Sequence, residues 1–253
     1  MAELNAVRAS GCDGRRGTRF RFENSAQLTE AAKRMALGAP LGDALDQAGY
    51  RAERSAVLQL RGDPREKSIA AFAARNACAN LTDPELREIG IFQRSRATWI
   101  ILAAPFAPPA DGAADVVAAR VLELVNQARA RPRVCGDKPF AAAGRLGLNV
   151  RLSEASQGHA ADMAQHGYFA HEGRDGSTAA ERATRARYRW RSVGENIASG
   201  PTTPEEVVAG WTRSAPHCAN LMAPHFTEMG VAYSVNKASR AGIYWVQLFG
   251  TPQ

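Results

Sequence analysis

One internal repeat constrains this chain more than any other feature. Residues 78–91 read Cys-Ala-Asn-Leu-Thr-Asp-Pro-Glu-Leu-Arg-Glu-Ile-Gly-Ile. They align without a gap on residues 218–231, Cys-Ala-Asn-Leu-Met-Ala-Pro-His-Phe-Thr-Glu-Met-Gly-Val, with seven of fourteen positions identical. Each stretch leads into an apolar run, a polar turn and a second apolar run. In the first copy these are Ile91-Phe92, Arg94-Ser95-Arg96 and residues 99–102; in the second they are residues 231–233, 236–240 and 243–249. Apolar runs bounded by turn residues read as a β-hairpin. The match continues upstream, where residues 28–35 align with a helix within 152–163 and Gly49-Tyr50-Arg51 aligns with Arg187-Tyr188-Arg189. The repeat therefore predicts two tandem copies of one fold. A smaller first copy spans residues 1–106, a proline-rich linker spans 107–113, and the second copy spans 114–253.

The four cysteines follow the same logic. Cys78 and Cys218 hold the same place, and Cys12 corresponds to Cys135, which predicts one bridge per copy: Cys12–Cys78 and Cys135–Cys218. No CxxC spacing is present, which argues against zinc ribbons and thioredoxin-like chemistry. An even number of widely spaced cysteines fits an oxidising compartment. The N-terminal residues Met1-Ala2-Glu3-Leu4-Asn5 have neither the basic flank nor the apolar core of a signal peptide. That leaves a cytosolic protein or the mature form of an exported one, and the cysteines favour a secreted, periplasmic or extracellular protein. No apolar run approaches the roughly 18 residues that span a bilayer.

With 253 residues, 45% hydrophobic and 23% charged, the composition is that of a globular protein. The formal net charge is +7. The densest basic run is Arg185-Ala186-Arg187-Tyr188-Arg189-Trp190-Arg191, whose alternation would place the arginines on one solvated face of an extended segment. No nucleic-acid-binding module accompanies it, and the charge is compatible with weak attraction to anionic cell-surface polymers.

The copies differ where chemistry concentrates. The first contains no histidine. Ala77 takes the place of His217, Gln59-Leu60-Arg61-Gly62 falls near Gly194-Glu195-Asn196, and nothing corresponds to the loop that carries His171. Two imidazoles and a carboxylate brought together make a metal site or an acid/base site. Around them, residues 115–130 read as an amphipathic helix stopped by Arg131-Pro132. A second helix is predicted over 152–166 with Ser153 as its N-cap, and His159 lies on its inner side. A loop over 168–176 presents His171 beside Tyr168 and Phe169, a helix covers 178–186, and Thr203-Pro204-Glu205-Glu206 starts another. That helix ends at Ser214, just before His217.

In this order and spacing, the motifs His159-x-x-Asp162-Met163-Ala164, Tyr168-Phe169-x-His171, Gly194-Glu195-Asn196-Ile197-Ala198, Trp211-x-x-Ser214-x-x-His217-x-x-Asn220 and Tyr244-Trp245-Val246-Gln247-Leu248-Phe249-Gly250 resemble the CAP superfamily. That superfamily comprises cysteine-rich secretory, antigen 5 and pathogenesis-related 1 proteins, and the likeness is nearest to its bacterial members. The resemblance covers residues 115–250. It implies an α+β fold, a three-layer α-β-α sandwich with a mostly antiparallel sheet. It also implies a cleft that binds zinc or another divalent metal, with His171, His217 and Glu195 as ligands. For the second acid of the family's cleft this chain offers Glu228, and Ser214, His159 and Asn196 are further cleft candidates. The first copy keeps the counterpart of Glu228, Glu88, while lacking both histidines, which favours a structural role for Glu228. The function implied is non-enzymatic binding of a small molecule, lipid or envelope component. The alternative is a metal-dependent hydrolase, although neither HExxH nor GxSxG occurs.

Overall fold

The computed structural model describes residues 1–62, 69–110 and 112–253. They form two compact units, Met1–Ala107 and Pro108–Gln253. Within the expected linker, Asp111 lies outside the described residues.

The first unit runs α1 (Ala2–Ser10), β1 (Gly11–Cys12), β2 (Arg15–Arg16), β3 (Glu23–Asn24), α2 (Ala26–Ala36), α3 (Leu41–Gln47), β4 (Ala52–Arg61), α4 (Ile69–Asn76), α5 (Cys78–Thr82), β5 (Glu88–Arg94) and β6 (Ala97–Pro105). Its main sheet has the order β3-β5-β6-β4, and only β3 and β5 are parallel. Successive side chains of β6 point to opposite faces. Ile101 and Ala103 pack with Leu28, Ala31 and Ala32 of α2 and with Ala44 and Leu45 of α3. Ile100 and Leu102 pack with Leu4 of α1, Ala70 and Ala73 of α4 and Leu81 of α5.

The second unit runs α6 (Ala114–Arg129), β7 (Arg133–Cys135), β8 (Lys138–Phe140), β9 (Gly147–Leu148), α7 (Val150–His166), α8 (Ala179–Arg185), β10 (Trp190–Ser199), α9 (Pro204–Arg213), α10 (Ala215–Met222), β11 (Glu228–Val235) and β12 (Ile243–Pro252). Its sheet has the order β9-β11-β12-β10, with only β9 and β11 parallel. Helix α7 covers the face bearing Tyr244, Val246 and Leu248. The opposite face, bearing the buried Trp245 and Phe249, belongs to the layer of α6, α9 and α10. Trp211 of α9 donates its Nε1 to the carbonyl of Ile197 on β10 at 3.2 Å. Helix, sheet and helix make three layers. Among the described residues no helix is long and apolar enough to cross a membrane.

The helix starts follow local chemistry. Thr178 with Glu181, and Thr203 with Glu206, form reciprocal capping boxes that satisfy two otherwise orphaned backbone donors each. Helix α7 is capped by Asn149, not Ser153: its side chain accepts from the amides of Arg151 and Leu152, so the helix starts earlier than its apolar pattern indicates. The basic run 185–191 is not one extended face either. Arg185 ends α8 and Arg187 adopts a left-handed φ of 61°, so only its last residues enter a strand.

The same anchoring contacts recur in both units. Asn5 exchanges side-chain bonds with the backbone of Phe22, and Asn126 does so with Leu146. The buried Arg8 guanidinium donates to the carbonyls of Phe20, Leu81, Asp83 and Leu86, and buried Arg129 donates to those of Gly144, Leu221, Ala223 and Phe226. The loss of solvation lowers the pKa of both arginines. Disulfides join Cys12 to Cys78 and Cys135 to Cys218, with Cα–Cα separations of 5.7 and 5.5 Å.

The ladders fix the correspondence between the units. Glu88 faces Ala103 and Glu228 faces Gly250. Two residues back along the partner strands, Ile101 faces Val57 and Leu248 faces Glu195. Gly194-Glu195-Asn196 therefore corresponds to Ala56-Val57-Leu58, not to the stretch 59–62. No identical residue marks the register of this strand in sequence, so the sequence alignment slips there.

Candidate functional site

Glu195 enters the site from β10 with only 4% of its side chain exposed. Both of its oxygens are committed. Oε1 lies 2.8 Å from Nδ1 of His171, and Oε2 accepts from an Arg182 terminal nitrogen at 2.6 Å. Arg182 projects from α8, whose start is fixed by its capping box, and its side chain is 9% exposed. The same guanidinium donates to the carbonyl of Ser177 at 2.6 Å and to that of His171 at 2.9 Å. Arg182 thus clamps the main chain of His171 and also the carboxylate that orients its ring. With Nδ1 taken, Nε2 is the uncommitted nitrogen on an imidazole that is 59% exposed.

His217 lies in the first turn of α10 and is partly buried. Burial holds its pKa below the ordinary imidazole value, and the positive charge of His171 adds to the effect. Asn196 is a strut rather than a ligand-facing group: its amide donates to the carbonyl of His217 at 3.2 Å and to Gln247 Oε1 at 3.3 Å. Asn220 of α10 donates back to the carbonyl of Glu195 at 3.0 Å and to Asn196 Oδ1 at 3.1 Å. These bonds tie the helix carrying His217 to the strand carrying Glu195.

The other candidates support this group or lie apart from it. His159 is 2% exposed and its Nε2 meets the carbonyl of Ala170 at 2.9 Å, which pins the loop just before His171. Burial first, then Arg182, lowers its pKa. Tyr168 hydrogen-bonds the Asp162 carboxylate, and burial together with that carboxylate pushes its hydroxyl up to about 12. Phe169 is 50% exposed, so one aromatic anchors the loop rather than two. Ser214 is the junction between α9 and α10 and its side chain caps neither helix. Glu228 is held by two neighbouring side chains. Its Oε2 accepts from Tyr188 at 2.7 Å and from the Asn149 amide at 3.2 Å, a contact that locks β11 to the cap of α7. Near the corresponding Glu88, burial first and then the Glu88 charge raise the pKa of the Tyr50 hydroxyl.

Among the described residues, no group of three His, Cys, Asp or Glu side chains is arranged to hold a metal ion. Of the expected ligand set His171, His217 and Glu195, the carboxylate is bonded to Arg182 and to His171. The chemistry present is two imidazoles with a carboxylate behind one of them, which is how an outer-sphere acid orients a metal-binding histidine. Imidazoles are ordinary ligands of a divalent ion, whereas a closed four-ligand zinc centre is not assembled among the described residues. His159 and Arg182 also line a cavity of about 730 Å³, together with Glu154, Asp162, Arg174 and Asp175.

Arg182 is the residue that the sequence motifs miss. The repeat does contain a signal for it. The amide of Tyr50 bonds the carbonyl of Leu45 and the amide of Tyr188 bonds that of Ala183, both at 2.9 Å, which equates Ala44 with Arg182. The buried pair Arg182–Glu195 thus stands where the first unit has Ala44 and Val57.

The family model described as "Cysteine-rich secretory protein family" (CAP) matches residues 122–249. The chain is 32% identical to the uncharacterized protein YkwD of Bacillus subtilis (strain 168) over 130 residues, covering 51% of this chain and 45% of that protein. It therefore spans about half the length of this relative. Among solved structures, an extracellular protein from Bacillus anthracis that contains an SCP domain aligns with a TM-score of 0.46 at 18% identity, over 66% of this chain and 61% of that one. An outer surface protein of Borrelia burgdorferi aligns with a TM-score of 0.43 at 18% identity, over 55% and 92%. With a family model that covers half of its residues, the chain belongs to the cysteine-rich secretory protein (CAP) family.

Proposed function

We propose that this CAP protein acts outside the cytoplasm as a binding module, and that its ligand meets the cleft edge formed by His171 and His217. The observation that carries this reading is the double commitment of Glu195 to Arg182 and His171. A carboxylate held on both oxygens serves to fix a ring, and it leaves Nε2 of His171 presented outward at a constant angle. Two disulfides, which persist in oxidising compartments, support an exported location. The recurrence of strand order, arginine anchor and disulfide supports reading the first unit as a copy that keeps the scaffold without the cleft.

A divalent ion would be held by His171 and His217, with Glu195 raising the basicity of His171 from behind. When bound, it would supply a Lewis-acidic contact for an oxygen-bearing ligand. Calorimetric titration of zinc into the wild-type chain tests this. One exchangeable ion is expected per chain, with binding lost in both His171→Ala and His217→Ala and weakened roughly 10–100-fold in Glu195→Gln. Failure of the wild type to bind zinc would remove the metal from the proposal.

A hydrolase is the second reading, and one feature favours it: a buried carboxylate on Nδ1 is also how a catalytic histidine is oriented. Turnover of an ester or peptide substrate that disappears in a folded His171→Ala variant would establish it over the binding reading.

A further inference from the structure

We infer that the first unit carries an oxyanion-binding slot of its own, built by Arg61, Arg94 and Arg96 over Ala97, and that it takes phosphate groups of an anionic polymer. The sheet register makes the slot. Ala97 on β6 is paired with Arg61 of β4 on one side and with Arg94 of β5 on the other. Residues in one row across a sheet point to the same face. Two arginines therefore flank an alanine, on backbones roughly 10 Å apart at about 4.8 Å per strand spacing. The small Ala97 side chain leaves the space between them open. Trp99 lies two residues along β6 on the same face, packed with Phe92 and the α2 side of the core, and forms the inner wall.

The third arginine is held at the same place. Arg96 is in the turn that joins β5 to β6, where Ser95 adopts a φ of 53°. Its carbonyl accepts from the Gly62 amide at 2.8 Å, which ties the turn to the end of β4. One cavity of about 590 Å³ is lined by Arg61, Arg94, Arg96, Ala97, Trp99 and the end of α2 at Ala36, and no described carboxylate lines it. Arg94 reaches the carbonyl of Ala36 at 3.4 Å; none of the three forms an ion pair among the described residues. Arg54 and Arg34 of the same unit, by contrast, are paired, Arg54 with Asp83 and Glu85 and Arg34 with Glu30. Three guanidiniums on one concave surface, without an ion-pair partner among the described residues, match phosphate, whose oxygens accept paired N–H donors from the arginine fork.

The slot is particular to the first unit. By the same ladder correspondence, Ser199 and Ser234 of the second unit hold the places of Arg61 and Arg94, and Tyr244 holds that of Ala97. The copy without the cleft therefore has an anion-binding surface that the copy with the cleft does not.

Calorimetry on the full chain tests the slot, with long-chain inorganic polyphosphate and inorganic pyrophosphate as the two probes. Wild type is expected to bind polyphosphate, more weakly as salt rises. The double variant Arg61→Ser/Arg94→Ser should lose at least ten-fold in affinity. Arg187→Ser/Arg189→Ser, which removes the same charge elsewhere, should change it less than three-fold. Ala97→Leu fills the floor without altering charge and should weaken binding as well, so the test does not rest on charge alone. Equal losses in the two arginine variants, full binding by Ala97→Leu, or no binding by wild type would each overturn the proposal. Pyrophosphate binding at the slot would support a free phosphate compound as the source, and binding of polyphosphate alone a polymer.

Discussion

Arg182 and Glu195 form a buried ion pair at 2.6 Å, with side chains 9% and 4% exposed, where the first unit has Ala44 and Val57. Breaking one side of such a pair leaves a buried charge without a partner, at a cost of about 3–5 kcal/mol, whereas replacing both by apolar groups often costs little. Arg182→Ala and Glu195→Val should each destabilise the chain by that amount in urea unfolding. The double variant, which recreates the first unit's pair, should be more stable than either single one. Additive losses would mean that the pair does not act as a unit. Zinc binding separates stability from function here, since the double variant should fold and still lose the orientation of His171.

A closer fit governs the helix-on-sheet packing. A Cβ on Gly230 would lie 2.1 Å from the backbone nitrogen of Ser153, and one on Gly90 would lie 2.1 Å from the backbone carbon of Leu28. Backbone atoms cannot yield as a side-chain tip can, so Gly230→Ala must push α7 off β11. Overpacking of this kind costs about 1–3 kcal/mol and occasionally more. Gly210→Ala, where a Cβ meets nothing within 4 Å, provides the control within a helix and should not lower the thermal midpoint. Equal midpoints for Gly230→Ala and wild type would refute the contact.

Stability should also fall on mild acidification. The pKa of His159 is held below its ordinary value, first by burial and then by Arg182, and His217 is lowered by burial and His171. A lowered folded-state pKa means that the unfolded chain takes up the proton first as pH drops. Stability is therefore flat above the ordinary imidazole value of about 6.5 and declines below it, by up to roughly 1.4 kcal/mol per pH unit for each such group. Urea midpoints at pH 5 and pH 8 measure this slope. His159→Gln should reduce it and not abolish it, because His217 contributes the rest. An unchanged slope in His159→Gln would show that His159 carries no part of it.

Much of the fold was legible because the repeat and the helix caps are local. Cys78 and Cys218 mark both the hairpins and the bridges, and the Thr178 and Thr203 boxes need only four residues each. The cleft was legible in part. His171, Glu195 and His217 stand out as the residues that the first unit lacks. What Glu195 touches depends on how α8 and the loop carrying His171, just upstream, fold back onto β10, and no pattern of spacing within β10 encodes those partners. The register of β4 against β10 was lost for a related reason. Pairing is set by Ile101 and Leu248 on the neighbouring strands, and side-chain identity along β4 does not reveal it.

Arg187 supplies a last test of the correspondence. Its φ is 61°, and Gly49, at the equivalent place before Tyr50, has a φ of 64°. Both residues donate their amide back to the preceding helix, Gly49 to Asp46 and Arg187 to Thr184, so both finish a helix with a left-handed residue. A side chain in that conformation costs roughly 1–2 kcal/mol relative to the right-handed one, and glycine is free of the penalty. The greater freedom of glycine in the unfolded chain returns part of the gain. Arg187→Gly should therefore stabilise the protein by about 0.5–1 kcal/mol, and Gly49→Arg should destabilise it by a similar amount, both read from urea midpoints. Stabilisation by Arg187→Ala equal to that by Arg187→Gly would assign the gain to loss of the arginine side chain and not to its backbone.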